Sequence, residues 1–557
     1  MGAGGAGLRA AMAAHEGGAR VVVVSKSLLG KAHTVMAEGG IAAAVANVDS
    51  GDSWKTHFSD TLAEGVYIGD WEMIELLVKE APERVHELER HGALFDRTPD
   101  GRIMQRAFGG HTYRRLCHVG DRTGLEMIRT MEEWILHKEI TVMDELVITK
   151  LFAGIDGISG ALGLSMRDGL FLYFRAKCII IATGGAGRIY RTTSNSWETN
   201  GDGMALAYDA GAVLQDMEMV QFHPTGMVYP PGVKGLLVTE GVRGEGGILL
   251  NSKGERFMLS YSPEKRELDA RDIVARAIHS EIVAGRGTRH GGVYLDISQK
   301  GRSFILKKLP SMYEQFMDFA GIDITRERME VAPTVHYFMG GIRVDPRGCA
   351  TSVKGLFAAG EAASGLHGAN RLGGNSLADI LVFGRRAGMH AAEYAKRASI
   401  PGIPERRIGA EIGRINSLLK GGGANPNPLI DRLRDTMSEK MGIVRSGAGM
   451  KSALSVVRGI RSKARHVSVG GGLRFNQGLI ACIELGNMAA LAECMIMSAL
   501  ERKESRGAHA RSDYPKKSPK WKGNITCVNS GGRPRLSFVK SRPLPRRLSA
   551  LVKKEAY

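Results

Sequence analysis

Apolar residues fall into distinct regimes along this chain. Near the amino terminus the helix-forming run Leu8-Arg9-Ala10-Ala11 is followed, after Arg20, by four valines, Val21–Val24. A short β-branched run of this kind predicts a buried strand. Between Met73 and Gly92, Ile74, Leu77, Val78, Val85 and Leu88 recur at helical spacing and predict an amphipathic helix. From about Ile140 to Ile181 short apolar runs alternate with turn residues, the pattern of successive strands. The last of these, Cys178–Ile181, runs into the turn Ala182-Thr183-Gly184-Gly185, and Leu356–Ala359 runs into Gly360-Glu361 in the same way. After Arg385 the character changes: Gly421-Gly422-Gly423, Pro426 and Pro428 mark a linker, and from Leu433 to about Leu500 the spacing is helical. The most apolar stretch, Leu479–Leu500, carries Glu484 and Glu493. A spanning helix needs about 20 residues with few or no charges, so this one reads as the core helix of a soluble chain. No internal repeat is visible.

Glycine sharpens the reading of the amino terminus. Gly2, Gly4 and Gly7, with Gly5 and Ala6 between them, spell G-x-G-x-x-G at the start of the first helix. In a dinucleotide-binding unit the first glycine permits a tight turn, the second lets backbone approach a pyrophosphate, and the third lets helix pack on strand. The exposed N–H groups at the helix start then hold the anion. Such a fingerprint follows the central strand of its sheet. Here Gly2 is the second residue, so the first strand is expected to be missing and Met1 to be a late start. Val21–Val24 is then the next strand, and it ends in Ser25-Lys26.

The 557 residues suffice for several domains. Net charge is +18, much of it in the tail: Lys516-Lys517, Lys520, Lys522, Arg546-Arg547 and Lys553-Lys554. Charge alone admits nucleic acid, anionic lipid or an acidic substrate. Aromatic residues are only 6%, too few for a base-stacking platform, and no nucleic-acid-binding motif accompanies the charge. No nucleic-acid partner is therefore expected. The six cysteines are scattered and none forms C-x-x-C. This suggests neither a disulfide framework nor a metal or iron–sulfur site, and it fits a reducing compartment.

Beyond the second strand the chain reads AHTVMAEGGIAAA, from Ala32 to Ala44. This stretch resembles the flavin-attachment segment of the flavoprotein subunits of succinate dehydrogenase and fumarate reductase. In that family the histidine carries FAD covalently through the flavin 8α-methyl group. The resemblance implies that role for His33, with Thr34, Gly39 and Gly40 beside the cofactor. It also accounts for Ser25-Lys26, where a nicotinamide-binding protein usually puts a ribose-binding acid. Further segments similar to the family follow in order: Asp121-Arg122-Thr123-Gly124, Ala182–Gly185, Gly201-Asp202-Gly203, Phe222–Gly226 (FHPTG), Thr239–Gly247 (TEGVRGEGG), Arg271–Arg276 (RDIVAR), His336–Gly341 (HYFMGG), His367–Leu377 (HGANRLGGNSL) and Ser505–His509 (SRGAH). The matches cover the chain from Gly2 to about His509. In HYFMGG, Phe338 stands where the family often has threonine, which alters packing but spares the histidine.

By this resemblance the fold is α+β. A Rossmann-like FAD-binding domain, its first strand missing, is split between residues 1–226 and 333–400. A capping domain at 227–332 is inserted. A helical domain at 401–510 and a basic tail at 511–557, expected to wrap the surface, complete the chain. Activity is expected to be interconversion of succinate and fumarate. Arg371 offers a planar fork matched to a carboxylate, and His223, His336 and Thr239 complete the grip. Arg271 is the implied proton donor and acceptor, although a free guanidinium deprotonates only above about 12. Glu240 and Arg243 read either as its proton relay or as a structural ion pair. Cofactor contacts are implied for Thr183, Gly184, Glu361, Ser376 and Leu377. Asp202 accepts from a flavin-side hydroxyl or serves as a helix cap; the polar residues of Asp121–Gly124 read as mostly structural, with Thr123 a candidate substrate-side contact.

In the family electrons leave through a separate iron–sulfur subunit; because this chain has no cluster-binding cysteine pattern, the resemblance implies such a partner, with a membrane anchor or another electron-transfer subunit. Its expected place is cytoplasmic, peripheral on the inner face of the membrane through those partners. L-Aspartate oxidase is the nearest rival, but it generally lacks the flavin-linking histidine and the NRLGGNSL segment. A non-catalytic remnant is the second rival, motivated by the missing strand.

Overall fold

Val22–Val24 form the predicted strand, paired in parallel with Thr141–Met143. Ile179–Ile181 pair in parallel with Leu356–Ala358. These two ladders are separate, and the first two residues bridge them. The Met1 amine donates to the Ile180 carbonyl at 2.8 Å. The Met1 carbonyl accepts from Ala182 N–H, and Gly2 N–H donates to the Val24 carbonyl, both at 2.8 Å. The computed structural model describes residues 1–552 and Glu555, so Lys553 and Lys554 lie outside the described residues.

The helix Gly5–Glu16 packs against the long helix Asn375–Arg397. Their axes come close because small residues face each other: a Cβ on Gly388 would stand 2.2 Å from the Ala10 carbonyl oxygen. Residues 146–175 form the expected run of strands, an antiparallel meander of Leu146–Gly154, Gly157–Ser165 and Phe171–Arg175. Met73–Leu88 lie on one helix, Trp71–Arg90, with Ile74, Leu77, Val78 and Val85 fully buried.

Residues 227–331 gather around a core of their own, including Val242, Met258, Ile278, Leu295 and Phe316. A four-stranded antiparallel sheet, ordered Val220–Met227, Met329–Phe338, Val293–Asp296, Ile248–Leu250, joins this unit to the rest. Its two long strands carry His223 and His336.

Four helices follow: Glu405–Ser417, Pro426–Lys440, Gly447–Lys463 and Gln477–Glu501. The last is long and apolar enough to cross a membrane, with mean hydropathy 1.7, but 72% of that window is buried inside the protein. Two of its acids are paired: Glu493 accepts from Arg458 at 2.8 Å and Arg461 at 2.5 Å, and Glu484 pairs with Lys26.

The basic tail departs from its expected role as a surface wrap. Gly523–Ser530 and Arg533–Lys540 form a hairpin whose first strand pairs with Leu214–Gln215, extending a five-stranded sheet. Ile525 and Cys527 are fully buried on one face. Beyond the hairpin the tail does clamp the surface: Arg542 donates to Asp70 at 2.8 Å and Arg547 to Glu75 at 2.7 Å.

Candidate active site

The glycine loop is built as its sequence demands. Gly2 has φ +99°, and a Cβ there would stand 2.2 Å from the Ala182 carbonyl oxygen; a Cβ on Gly7 would stand 2.0 Å from the Gly2 carbonyl oxygen. The helix begins at Gly5 with no side-chain cap and no acid in its first turn. Its start is therefore free of competing negative charge, the condition for receiving an anion.

A single cleft runs from this loop to the strands bearing His223 and His336. Gly2, Gly4, Gly5, Ala6, Ser25, Lys26, His33, Thr34, Gly39, Gly40, Thr183, Gly184, Asp202, Glu361, Ser376 and Leu377 line it, as do His223, Thr239, Glu240, Arg271, His336 and Arg371. Two of the predicted residues stand behind the wall: Gly7, where helix meets turn, and Arg243, beneath Glu240. Thr123 is not a substrate contact. It is fully buried, its hydroxyl accepts from Val119 N–H at 3.2 Å, and it opens the helix Thr123–His137. Asp202 is the first residue of its helix rather than the cap, which is Gly201. Its carboxylate accepts from Lys26 at 2.7 Å and Asn487 at 2.8 Å.

His33 sits in a short 3₁₀ turn, His33–Met36. Ser196 N–H donates to its Nδ1 at 3.3 Å, and Asn195 lies 3.2 Å from its Nε2. Burial, and then the charge of Arg188, push it down to about 4, so the ring is a neutral nucleophile at physiological pH. Thr34 Oγ1 accepts from Gly5 N–H at 3.2 Å and ties this turn to the glycine loop.

At the other end, the rings of His223 and His336 are 5.1 Å apart. His223 Nδ1 is engaged by Thr225, with the Thr225 carbonyl at 2.9 Å, and His336 Nδ1 by Ser194 Oγ at 2.8 Å. Burial and neighbouring cationic groups hold both well below the usual histidine range. Arg371 donates to Ser376 Oγ at 3.1 Å, lies 4.3 Å over the Tyr337 ring, and has no partner at Nε. Burial, with the nearby charge of Arg271, pushes it down to about 9.

Arg271 opens the helix Arg271–Glu281. Its Nε donates to Glu240 Oε2 at 2.8 Å and its Nη1 to Gln221 Oε1 at 3.2 Å. Glu240 also accepts from Gly109 N–H at 2.7 Å and faces Arg243 Nη2 at 3.7 Å. Burial alone would raise this carboxyl, but Arg271 and Arg243 outweigh it and hold it at about 2. Thr239 caps the short helix Glu240–Gly244, accepting from Gly241 N–H at 3.3 Å.

Several further residues of the site are not singled out by the motifs. Glu38 lines the cleft between His33 and Gly39, and burial, reinforced by Asp121, raises its carboxyl well above the ordinary range. Gln221 receives Arg271 and donates to the Arg371 carbonyl at 2.8 Å, joining the two cations. It does carry a signal in the sequence: it lies two residues before His223 on one strand. Ser194 and Asn195 carry no such signal.

These residues fit FAD: a glycine turn and uncapped helix start for its pyrophosphate, and a lined cleft leading past His33. A family model described as FAD binding domain matches residues 1–377. A second, Fumarate reductase flavoprotein C-term, matches residues 430–548. One subunit of the fumarate reductase (CoM/CoB) of Methanothermobacter marburgensis is 49% identical over 94% of this chain and 95% of its own length. The structure of Mycobacterium smegmatis Sdh1 in complex with UQ1 superposes with TM-score 0.88 at 48% identity, covering 98% of this chain and 94% of that one. FrdA of an E. coli quinol fumarate reductase superposes with TM-score 0.93 at 37% identity, covering 98% and 96%. With its site and its fold both accounted for in this way, the chain belongs to the succinate dehydrogenase/fumarate reductase flavoprotein subunit family, a family of FAD-dependent oxidoreductases.

Proposed function

We propose that this chain interconverts succinate and fumarate as the flavoprotein subunit of an electron-transfer complex. The observation that carries the reading is that His223, His336, Arg271 and Arg371 line one cleft together with His33 and the glycine loop. A four-carbon dicarboxylate needs donors at both ends. The unpaired Nε of Arg371 offers a fork for one carboxylate, and His223, His336 and Thr239 serve the other.

Arg271 is the group that gives or takes the proton at the carbon next to the one exchanging hydride. Its Nε is held on Glu240, whose carboxyl Arg271 and Arg243 hold well below the usual range, and Arg243 backs that carboxylate. The row Arg271–Glu240–Arg243 thus has the connectivity of a relay. Holding substrate against this row makes the proton transfer an oriented, local event. FAD, when bound, supplies the hydride acceptor for succinate and the donor for fumarate.

Gly2, Gly4, Gly5, Ala6 and Gly7 hold its pyrophosphate. Ser25, Lys26, Thr183, Gly184, Asp202, Glu361, Ser376 and Leu377 hold the rest. His33 is the attachment point. Electrons then pass to an iron–sulfur subunit. With a membrane anchor or another electron-transfer subunit, that partner keeps the chain peripheral on the cytoplasmic face.

The test is direct. Purified protein should show a flavin spectrum, retain yellow colour in the acid-precipitated pellet, oxidise succinate with an artificial acceptor and reduce fumarate with a reduced dye. Flavin-loaded protein inert in both directions would overturn the reading; loss of colour to the supernatant would overturn only the His33 attachment.

A further inference from the structure

Residues 108–115 run behind the cleft and touch both of its working ends. Two glycines allow this close approach. A Cβ on Gly109 would stand 2.9 Å from Glu240 Oε1, and one on Gly110, at φ +81°, would stand 2.8 Å from Leu372 Cδ1. Gly109 N–H donates to Glu240 at 2.7 Å, and two residues on, His111 Nε2 meets the Gly373 carbonyl oxygen at 2.7 Å. Gly373 in turn abuts the Arg271–Glu240 pair: a Cβ there would stand 3.3 Å from Arg271 Nη2 and 3.7 Å from Glu240 Oε2. It belongs to the turn 371–374, which leads from Arg371 into the helix Asn375–Arg397. All four carbonyls of that turn are taken. Gln221 Nε2 donates to that of Arg371 at 2.8 Å, Asn375 N–H to that of Leu372 at 3.2 Å, Ala42 N–H to that of Gly374 at 3.2 Å, and His111 holds that of Gly373.

The protonation of His111 follows from its partners. A guanidinium can only donate, and Arg115 Nη1 lies 3.2 Å from His111 Nδ1. Nδ1 is therefore the acceptor, the ring proton sits on Nε2, and Nε2–H donates to Gly373. Arg115 cannot turn away. Asp52 holds its Nε at 3.1 Å and its Nη2 at 2.8 Å, Asp60 holds its Nη1 at 2.7 Å, and Arg115 and the Asp52 side chain are wholly buried. Burial, and then the charge of Arg115, push the ring down to about 3, so it stays neutral through the physiological range.

We propose that His111 is a positioning residue for the dicarboxylate: holding Gly373 from the segment that also holds Glu240, it fixes the span between Arg371 and the Arg271–Glu240 pair. This inference rests on the reading of the cleft as a succinate and fumarate site. His111 is not among the residues lining the cleft, so it acts through the turn. Without it the Gly373 carbonyl loses its donor, which an acceptor packed between Phe108 and Arg271 tolerates poorly. The turn shifts to find another partner and carries Arg371 with it. Glu240 keeps its own bonds to Gly109 and Arg271, so binding should suffer more than the chemical step.

The experiment uses flavin-loaded, full-length protein in three forms: parent, His111→Leu, which has no donor, and His111→Gln, whose amide can donate to Gly373 and accept from Arg115. Succinate binding is followed by the flavin spectrum, and turnover with an artificial acceptor gives KM and kcat separately. His111→Leu should weaken binding and raise KM by about tenfold with kcat within about threefold, and His111→Gln should return KM to within about threefold of the parent. Equal affinity in parent and His111→Leu overturns the proposal, as does an equal loss in the leucine and glutamine variants. The parent gives a second reading should His111→Leu fail to fold. In spectra of protein carrying 15N-histidine, His111 is the signal missing from His111→Gln, and it should show a proton on Nε2 and none on Nδ1 from about pH 6 to pH 8. The opposite tautomer overturns the proposal. A parent that holds flavin and binds no dicarboxylate overturns the reading of the cleft and this inference with it, whereas a parent that binds succinate no better than His111→Leu overturns this inference alone.

Discussion

Arg271 and Glu240 come from different segments and meet at 2.8 Å, Nε to Oε2, inside a wall where neither is open to bulk water. The contact suits either a proton path or a structural ion pair, and one substitution tells them apart. Glu240→Gln keeps the shape and removes the carboxylate that, in the proposed relay, would exchange a proton with Arg271. We expect kcat for succinate oxidation to fall by about 10²–10⁴-fold with a much smaller change in KM. A thermal melt checks that the fold persists with Arg243 less well compensated. A purely structural pair would instead give a loss of stability with kcat nearly unchanged in the surviving enzyme.

Arg371→Lys tests the grip. Lysine keeps the charge but loses the fork, the bond to Ser376 and the planar contact with Tyr337. One lost charged hydrogen bond costs about 1.5–3 kcal/mol, so KM for the dicarboxylate should rise by roughly 10–100-fold. Binding of succinate or fumarate, followed by the flavin spectrum, checks it. An unchanged KM would remove Arg371 from the substrate site.

How far the sequence reaches depends on whether a feature is local. Motifs with fixed spacing place the glycine loop, His33, His223, Glu240, Arg271, His336 and Arg371, and all but the buried Gly7 and Arg243 line the cleft. Residues whose role is set by distant partners stay hidden. Ser194 holds His336 from 142 residues away, and Asn195 reaches His33 from 162; no window of sequence contains either pair. For Thr123 the structural reading of its turn holds and the substrate-side alternative does not: it is fully buried and bonded to Val119. The tail misleads because its charge draws attention from the alternation around Ile525 and Cys527 and from Gly531-Gly532, a hairpin turn signal whose two residues both have positive φ. Phe338 needs no special account: it is fully buried, and its N–H donates to Glu361 at 2.9 Å.

Glu361 gives a pH prediction for the protein without bound flavin. Burial raises its carboxyl to about 7, against the Phe338 N–H that favours the anion. A carboxyl raised on folding contributes stability that is fully present below its unfolded value, near 4.5, and lost as pH rises through about 7. Glu361→Gln, which cannot ionise, should therefore melt close to the parent at pH 5 and a few degrees above it at pH 8. Parallel melting curves at the two pH values check the sign. A variant less stable than the parent at pH 8 would mean that the anion is the form the fold prefers.

Lys26 ties three segments together at one nitrogen. It follows the strand Val22–Val24, pairs with Asp202 at 2.7 Å at the start of one helix, and pairs with Glu484 on the long helix Gln477–Glu501. Burial alone would lower the Lys26 ammonium, but the two carboxylates outweigh it and raise it above its ordinary value. Glu484 is itself raised by burial, less the attraction of Lys26. Lys26→Met removes the cation bonded to both acids and leaves two mostly buried carboxylates facing each other. Breaking a buried pair in this way costs about 3–5 kcal/mol. The cost should shrink on acidification, because protonating Glu484 relieves the repulsion, so the deficit against the parent should be larger at pH 8 than at pH 5. Glu484→Gln in the Lys26→Met background should recover part of the loss, while Glu484→Gln alone should destabilise. A double-mutant cycle by denaturant unfolding measures the coupling between the two. Strict additivity would mean that Lys26 and Glu484 do not act on each other.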